Sequence, residues 1–351
     1  MTVLIDKIEA IRVWDSRGIP TIETSIFIEN GKGVGKAIAP SGASTGKFEA
    51  VEKRDKQSIV FKDVMTSVEL INETINKFLS GKLISNQKEF DNLLIDLDGS
   101  TDKSNFGSNT IVSSSMAFAH ACANLENQPL WKYLAKDEKL QLPLPEIQIF
   151  GGGAHAKNTI DIQDFMIIPT GANNYIESLE MASLIYHAAG KILDQKGLKT
   201  GIADEGGYWP NFQTNEEGFE LVMQAIELAG FKLYDEVGIS VDIAASEFCE
   251  NQKYILKKDN KKLHHEEYFE VIENWLNKFP IISIEDPFDQ DDKLSFAKLN
   301  KLYGKKIQIV GDDLLVTNAD FIKDAKYLNL CNSVLIKPNQ IGTISETYKA
   351  V

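Results

Sequence analysis

The sequence has little cysteine. Its three thiols, Cys122, Cys249 and Cys331, lie far apart, are odd in number and show no CxxC spacing, which speaks against a disulfide framework or a thiolate zinc site and leaves core thiols as the expectation. Long apolar runs are also lacking: nothing approaches the ~20 residues needed to cross a bilayer. The start, MTVLIDKIEAIRVWD, carries acids where a secretory leader would be apolar. A cytoplasmic protein without membrane insertion is expected. Positive charge is the third shortage. With 37 Lys+Arg against 51 Asp+Glu, the net charge of −14 argues against a nucleic-acid backbone or an anionic membrane as partner. Any anionic substrate must therefore be gripped by local cations.

What is present suffices for a folded protein. A chain of 351 residues, 43% of them hydrophobic, can bury one large core and a smaller one. Strand-like alternation in TIETSIFIEN and GVGKAIAP precedes a helical stretch, FKDVMTSVELINETINKFLS, and then a helical region, NTIVSSSMAFAHACANLENQPLWKYLA. The proline-marked LQLPLPEIQIF sets a boundary. Two domains are expected, an α+β unit over 1–137 and an α/β unit over 138–351. The second opens with two strand-like runs, EIQIF and DFMIIPTG, followed by two helical ones, ESLEMASLIYHAAGKILDQKG and NEEGFELVMQAIELAG. Phe219, Val222, Met223 and Ile226 mark the apolar face of the last, and Gly230 marks its end.

A repeating unit follows. Four apolar runs separated by helical sequence end in charge: GISVD at Asp242, IISIED at Glu285, IQIVGDD at Asp312 and SVLIK at Lys337. Parallel α/β barrels collect catalytic groups at the carboxyl ends of several strands. One acid after a strand is ordinarily a helix cap or a solvated loop residue, whereas four charged ends in succession predict convergence. Three carboxylates sharing a cleft repel one another unless a cation sits among them, and an all-oxygen donor set favours a hard ion such as Mg²⁺.

DSRGIPTIE, PSGASTGKFEA, GGGAHA, QDFMI, DEGGYWPN, VDIAASEF, SIEDPF, VGDDLLVTN and LIKPNQIGT, in this order, resemble the enolase family, whose members dehydrate 2-phosphoglycerate in glycolysis. The resemblance runs from Asp15 to the last residues. It implies an N-terminal α+β capping domain and a modified TIM barrel, ββαα(βα)6. Enolase-superfamily sites pair a Lys or His base with one or two Mg²⁺ ions, so that pairing comes with the resemblance. Residue by residue, it implies that Asp242, Glu285 and Asp312 bind the first Mg²⁺ and that Ser44 completes a second. Lys337 is implied as the base and Glu205 in DEGG as the proton donor. His155 is implied as a mobile-loop histidine over the substrate, its neighbouring glycines giving the flexibility of a lid. Gln163 and Asp164 lie beside the acid. Contacts to a phosphorylated small molecule are expected from His155, Gln163, Asp164, Glu285, Asp312 and Lys337. Family members are commonly homodimers, and a homodimer is expected.

The chain also departs from the family. Asp164 stands where Glu is usual, Ala203 where Gly is usual, and QIF, Trp209 and Pro338 differ as well; repacking or a changed substrate would account for them. Six barrel strands are counted, where closure requires eight. The two units that the family places after the lysine strand hold a His-Arg-Ser segment and a second lysine. The expectation is a part of a longer working enzyme; the alternative is a shortened homologue whose strand edges a partner or another subunit covers. Three function classes follow: an Mg²⁺-dependent lyase acting on 2-phosphoglycerate, an enolase-like enzyme with an altered phospho or phosphonate substrate, and a non-catalytic binding protein.

Overall fold

A computed structural model describes residues 2–42, 45–135, 138–157 and 160–351. The first strand, Val3–Trp14, buries Val3 and Ile5 and then Ile8 and Ala10. That change of parity follows from a register shift between Ile5 and Lys7, because one extra residue turns every later side chain to the opposite face. The strand pairs antiparallel with Pro20–Ile28, which pairs with Gly33–Ile38, while Leu83–Ile84 covers the other edge. Helices Gln87–Asp98 and Ser108–Leu125 pack together, with Phe90 and Phe118 stacked 4.2 Å apart. The helical region expected over 109–135 is two helices, Ser108–Leu125 and Leu130–Ala135. Asn127 adopts a left-handed φ of 53° between them, and Pro129 cannot continue the first helix.

The second unit begins with strands Ile147–Gly151 and Asp164–Ile168, then helices Tyr175–Lys196 and Asn215–Leu228. A short hairpin, Lys199–Ile202 with Tyr208–Pro210, lies between those helices. Strands Gly238–Asp242, Ile281–Glu285, Gln308–Gly311 and Ser333–Val334 follow, parallel to one another and alternating with helices. This is the ββαα(βα) order that the resemblance implies, in an α/β barrel-type sheet preceded by an α+β unit. A three-stranded meander, Cys249–Glu250, Lys253–Leu256 and Lys261–Leu263, is an addition that the lysine-rich sequence conceals. The core of this unit is aromatic: Phe219 stacks on Phe279 at 4.7 Å and meets Phe165 edge-on at 4.9 Å. Burying one such ring contributes roughly 1.5–3 kcal/mol.

One strand direction positions the site. Asp164–Ile168 runs antiparallel to both neighbours, so its first residue lies where the parallel strands have their last. Register pairs Gly151 with Asp164, Asp164 with Asp242, and Asp242 with Glu285, giving a row of acids across adjoining strands.

Helix Ile344–Ala350 ties the two units together. Its first backbone amides are received by side chains of the N-terminal helices: Ile344 N–H donates to Ser115 Oγ and Ser345 N–H to Asp91 Oδ2, each at 2.9 Å. Lys103 adds an ion pair to Glu346 at 3.1 Å. Of the cysteines, only Cys122 is fully buried, and all three are free. Among the described residues, no helix is long and apolar enough to cross a membrane.

Candidate active site

A cleft of about 430 Å³ opens at the carboxyl ends of the parallel strands, and His155, Asp164, Glu205, Asp242, Glu285 and Lys337 all line it. Ser41, Gly42 and Glu49 of the N-terminal unit close one side. Ser44 lies outside the described residues.

On one wall, Asp242 and Glu285 stand side by side on neighbouring strands, both buried. Burial first, and then nearby carboxylates, push both well above the usual range: Asp164 and Asp312 act on Asp242, and Asp242 and Asp312 act on Glu285. Asp242 is held in place by the Ala244 N–H at 2.9 Å and by Gln163 Nε2 at 3.0 Å. Asp312 is oriented differently. Its Oδ2 receives Lys337 Nζ at 2.5 Å and its Oδ1 receives Gln340 Nε2 at 2.6 Å.

Burial depresses the Lys337 amine, but Asp312, Glu285 and Asp242 outweigh it and raise its pKa. The carboxylates by themselves therefore keep this lysine as an ammonium.

Donor atoms within 4.8 Å of one another form two trios among the described residues, Asp286–Asp312–Asp313 and His155–Asp164–Glu205. The expected set Asp242, Glu285 and Asp312 is not one of these trios: Asp312 groups with Asp286 and Asp313, while Asp242 and Glu285 line the cleft. Asp286 is the organiser of that turn, since its two oxygens accept the backbone N–H groups of Asp312 and Asp313.

The second trio adjoins the row of acids through Asp164, the strand neighbour of Asp242. His155 Nδ1 lies 3.0 Å from Asp164 Oδ1, and its Nε2 lies 3.9 Å from Glu205 Oε1. Burial lowers the imidazole pKa, but Asp164 and then Glu205 reverse that and raise it overall. The Glu205 side chain is 54% exposed; partial burial and then Asp164 raise its carboxyl, with His155 and Lys337 opposing. A carboxyl so placed holds a proton to higher pH, as a proton donor must. Gln148 links the parts: its amide donates to Asp164 and its Oε1 accepts the Gly207 N–H at 2.7 Å, fixing the turn after Glu205.

The glycines before His155 serve close packing. A Cβ at Gly152 would lie 2.3 Å from the Ile162 carbonyl oxygen, and His155 itself is buried on a short 3-10 turn, Gly153–Ala156. Ala203 packs against Gly151, where an added Cβ would come within 2.3 Å of the Ala203 methyl; the departure at 203 is accommodated by that glycine.

Sequence reasoning missed Glu49, Gln148, Asp286 and Gln340. Each lies inside or beside a stretch already singled out, but only the fold reveals its partners. Two family models cover nearly all of the chain: that described as Enolase, N-terminal domain matches residues 5–134, and that described as Enolase, C-terminal TIM barrel domain matches residues 139–351. With the cleft at the barrel-strand ends and both models matched in order, the chain belongs to the enolase family.

Proposed function

We propose that the protein catalyses the reversible dehydration of 2-phospho-D-glycerate to phosphoenolpyruvate with Mg²⁺. The observation that carries this reading is one cleft lined both by Lys337 with Asp242 and Glu285 and by Glu205 with His155 and Asp164. Such a reaction removes a proton from the carbon next to a carboxylate and expels a hydroxyl from the next carbon. It needs a base and an acid on opposite sides of one small molecule.

The donor set fits a hard divalent ion, because Asp242 and Glu285 are buried acids raised by their neighbours, a condition that a cation relieves. Asp242, Glu285 and Asp312 would hold it, with Ser44 serving a second ion. Bound Mg²⁺ supplies positive charge where electron density builds up on the substrate carboxylate. Lys337 would shed the proton that its carboxylate neighbours hold once a bound cation takes up their charge, and its free Nζ then takes the carbon-bound proton. The electron pair left on that carbon forms the new double bond as the C–O bond breaks. Glu205 passes its proton to the departing hydroxyl, which leaves as water. His155 and Asp164 orient the acid, and Gln163 holds Asp242.

The test is phosphoenolpyruvate formation by the full-length gene product given 2-phosphoglycerate and Mg²⁺, followed by ultraviolet absorbance. Product that appears with Mg²⁺ and disappears with a chelator is the expected result; a folded protein that binds Mg²⁺ yet forms none overturns the reading. Asp164, one methylene shorter than the family's Glu, favours a second reading in which a phosphonate analogue is the better substrate. Equal or better turnover of 2-phosphoglycerate would eliminate it.

A further inference from the structure

Gln340, on the short helix Pro338–Ile341, is 1% exposed, and its amide is committed on every side. Nε2 donates to Asp312 Oδ1 at 2.6 Å and to Glu49 Oε1 at 3.3 Å, while Oε1 accepts the Thr317 hydroxyl at 2.7 Å. That hydroxyl also accepts the Lys337 backbone N–H at 2.9 Å. The opposite orientation of the amide would turn its oxygen toward two carboxylates, so only one rotamer satisfies the network.

A separate observation points to the same place. Val316 and Thr317 are successive β-branched residues at φ values of 42° and 54°, a backbone state such residues avoid because of steric cost. The strained turn is what delivers the Thr317 hydroxyl to both Gln340 and the Lys337 amide. Glu49 in turn accepts the Gly46 N–H at 2.9 Å, so the loop of the N-terminal unit is gripped by the same side chain.

We propose that Gln340 is a positioning residue that orients Asp312 for cation binding and couples that orientation to the Glu49 loop; this rests on reading Asp312 and Lys337 as cation ligand and base. The amide nitrogen occupies Oδ1 of Asp312, which leaves Oδ2 as the oxygen that receives Lys337. Removing the amide frees the carboxylate to rotate and separates the loop from the barrel.

The experiment measures Mn²⁺ binding to the intact protein by calorimetry for the parent, Gln340→Met and Gln340→Asn. Methionine keeps the volume without hydrogen bonds; asparagine keeps the amide but falls short of its partners. Both variants are expected to bind Mn²⁺ ~10- to 100-fold more weakly, the usual scale for groups that orient a ligand. A cooperative melting transition shows that each is folded, and if one fails to fold the other decides the question. An affinity within about twofold of the parent in a folded variant overturns the proposal. Phosphoenolpyruvate formation by the parent is assayed separately. A parent that binds Mn²⁺ without forming product defeats the reaction reading, while the ratio of affinities still judges Gln340.

Discussion

Asp286 accepts the backbone N–H of Asp312 through Oδ1 at 3.0 Å, and its other oxygen takes the N–H of Asp313 at 2.6 Å. A buried carboxylate thus shapes the turn that presents the next strand's acids. Its own charge is disfavoured, first by burial and then by Asp312 and Asp313. Asp286→Ala leaves two buried donors without acceptors, at roughly 1–3 kcal/mol each. Relief of charge repulsion offsets part of that, and a net loss of about 2 kcal/mol is expected. Urea unfolding of the two proteins measures it, and equal midpoints would contradict the role.

Asp91 yields a prediction in pH. Burial raises its carboxyl, and hydrogen bonds from Ser115, Ser345 and Gln87 only partly compensate. The folded pKa is therefore above the unfolded value of ~3.9, so the folded state holds the proton more tightly. The penalty on the fold is fully present above the folded pKa. It shrinks as pH falls through that pKa and vanishes below the unfolded one. Asp91→Asn has no such titration. The stability of the parent relative to this variant should accordingly rise on acidification from neutral pH, as read by unfolding curves at each pH. A constant difference would show that Asp91 titrates normally.

Gly35 is a packing constraint. A Cβ there would lie 2.1 Å from both the Ala117 carbonyl oxygen and the Ala121 nitrogen, which are backbone atoms of a helix that cannot step aside cheaply. Gly35→Ala is expected to cost at least the ~1–3 kcal/mol usual for overpacking. A melting temperature matching the parent's would mean that the strand and helix can separate freely.

Within the proposed reaction, Lys337→Met and Glu205→Gln remove base and acid respectively. Each should lower kcat ~10²- to 10⁴-fold. Lys337→Met also strips Asp312 of its ion pair and should alter divalent-cation affinity, whereas Glu205→Gln should leave that affinity near the parent's. Steady-state rates alongside cation titrations separate the two effects.

Legibility in the sequence followed locality. Asp242, Glu285 and Lys337 could be found because each closes an apolar run or lies just beyond one, a signal contained in a few residues. Helix Tyr175–Lys196 likewise declared itself through its own periodicity. The direction of Asp164–Ile168 was not legible, because five fully buried residues read alike in either orientation. Strand Val3–Trp14 was hidden by its bulge, which breaks the alternation that identifies strands. Gln340 and Glu49 meet across 291 positions of sequence, and no local pattern anticipates a contact of that range. Asp312 was read as a metal ligand, but the buried Asp286 beside it, which fixes the turn, became visible only in three dimensions.

The reversed strand also divides the surface into parts that can and cannot be edited. Because Asp164 begins that strand, the segment entering it serves the cleft, and the segment leaving it emerges beside Gly238, at the far side of the sheet. The exposed connection from Thr170 to Asn174 is thus insulated from the chemistry by the length of a strand. A reporter peptide grafted there should be carried as a passenger, whereas the same graft ahead of Gln163 would be felt by every group that handles the substrate.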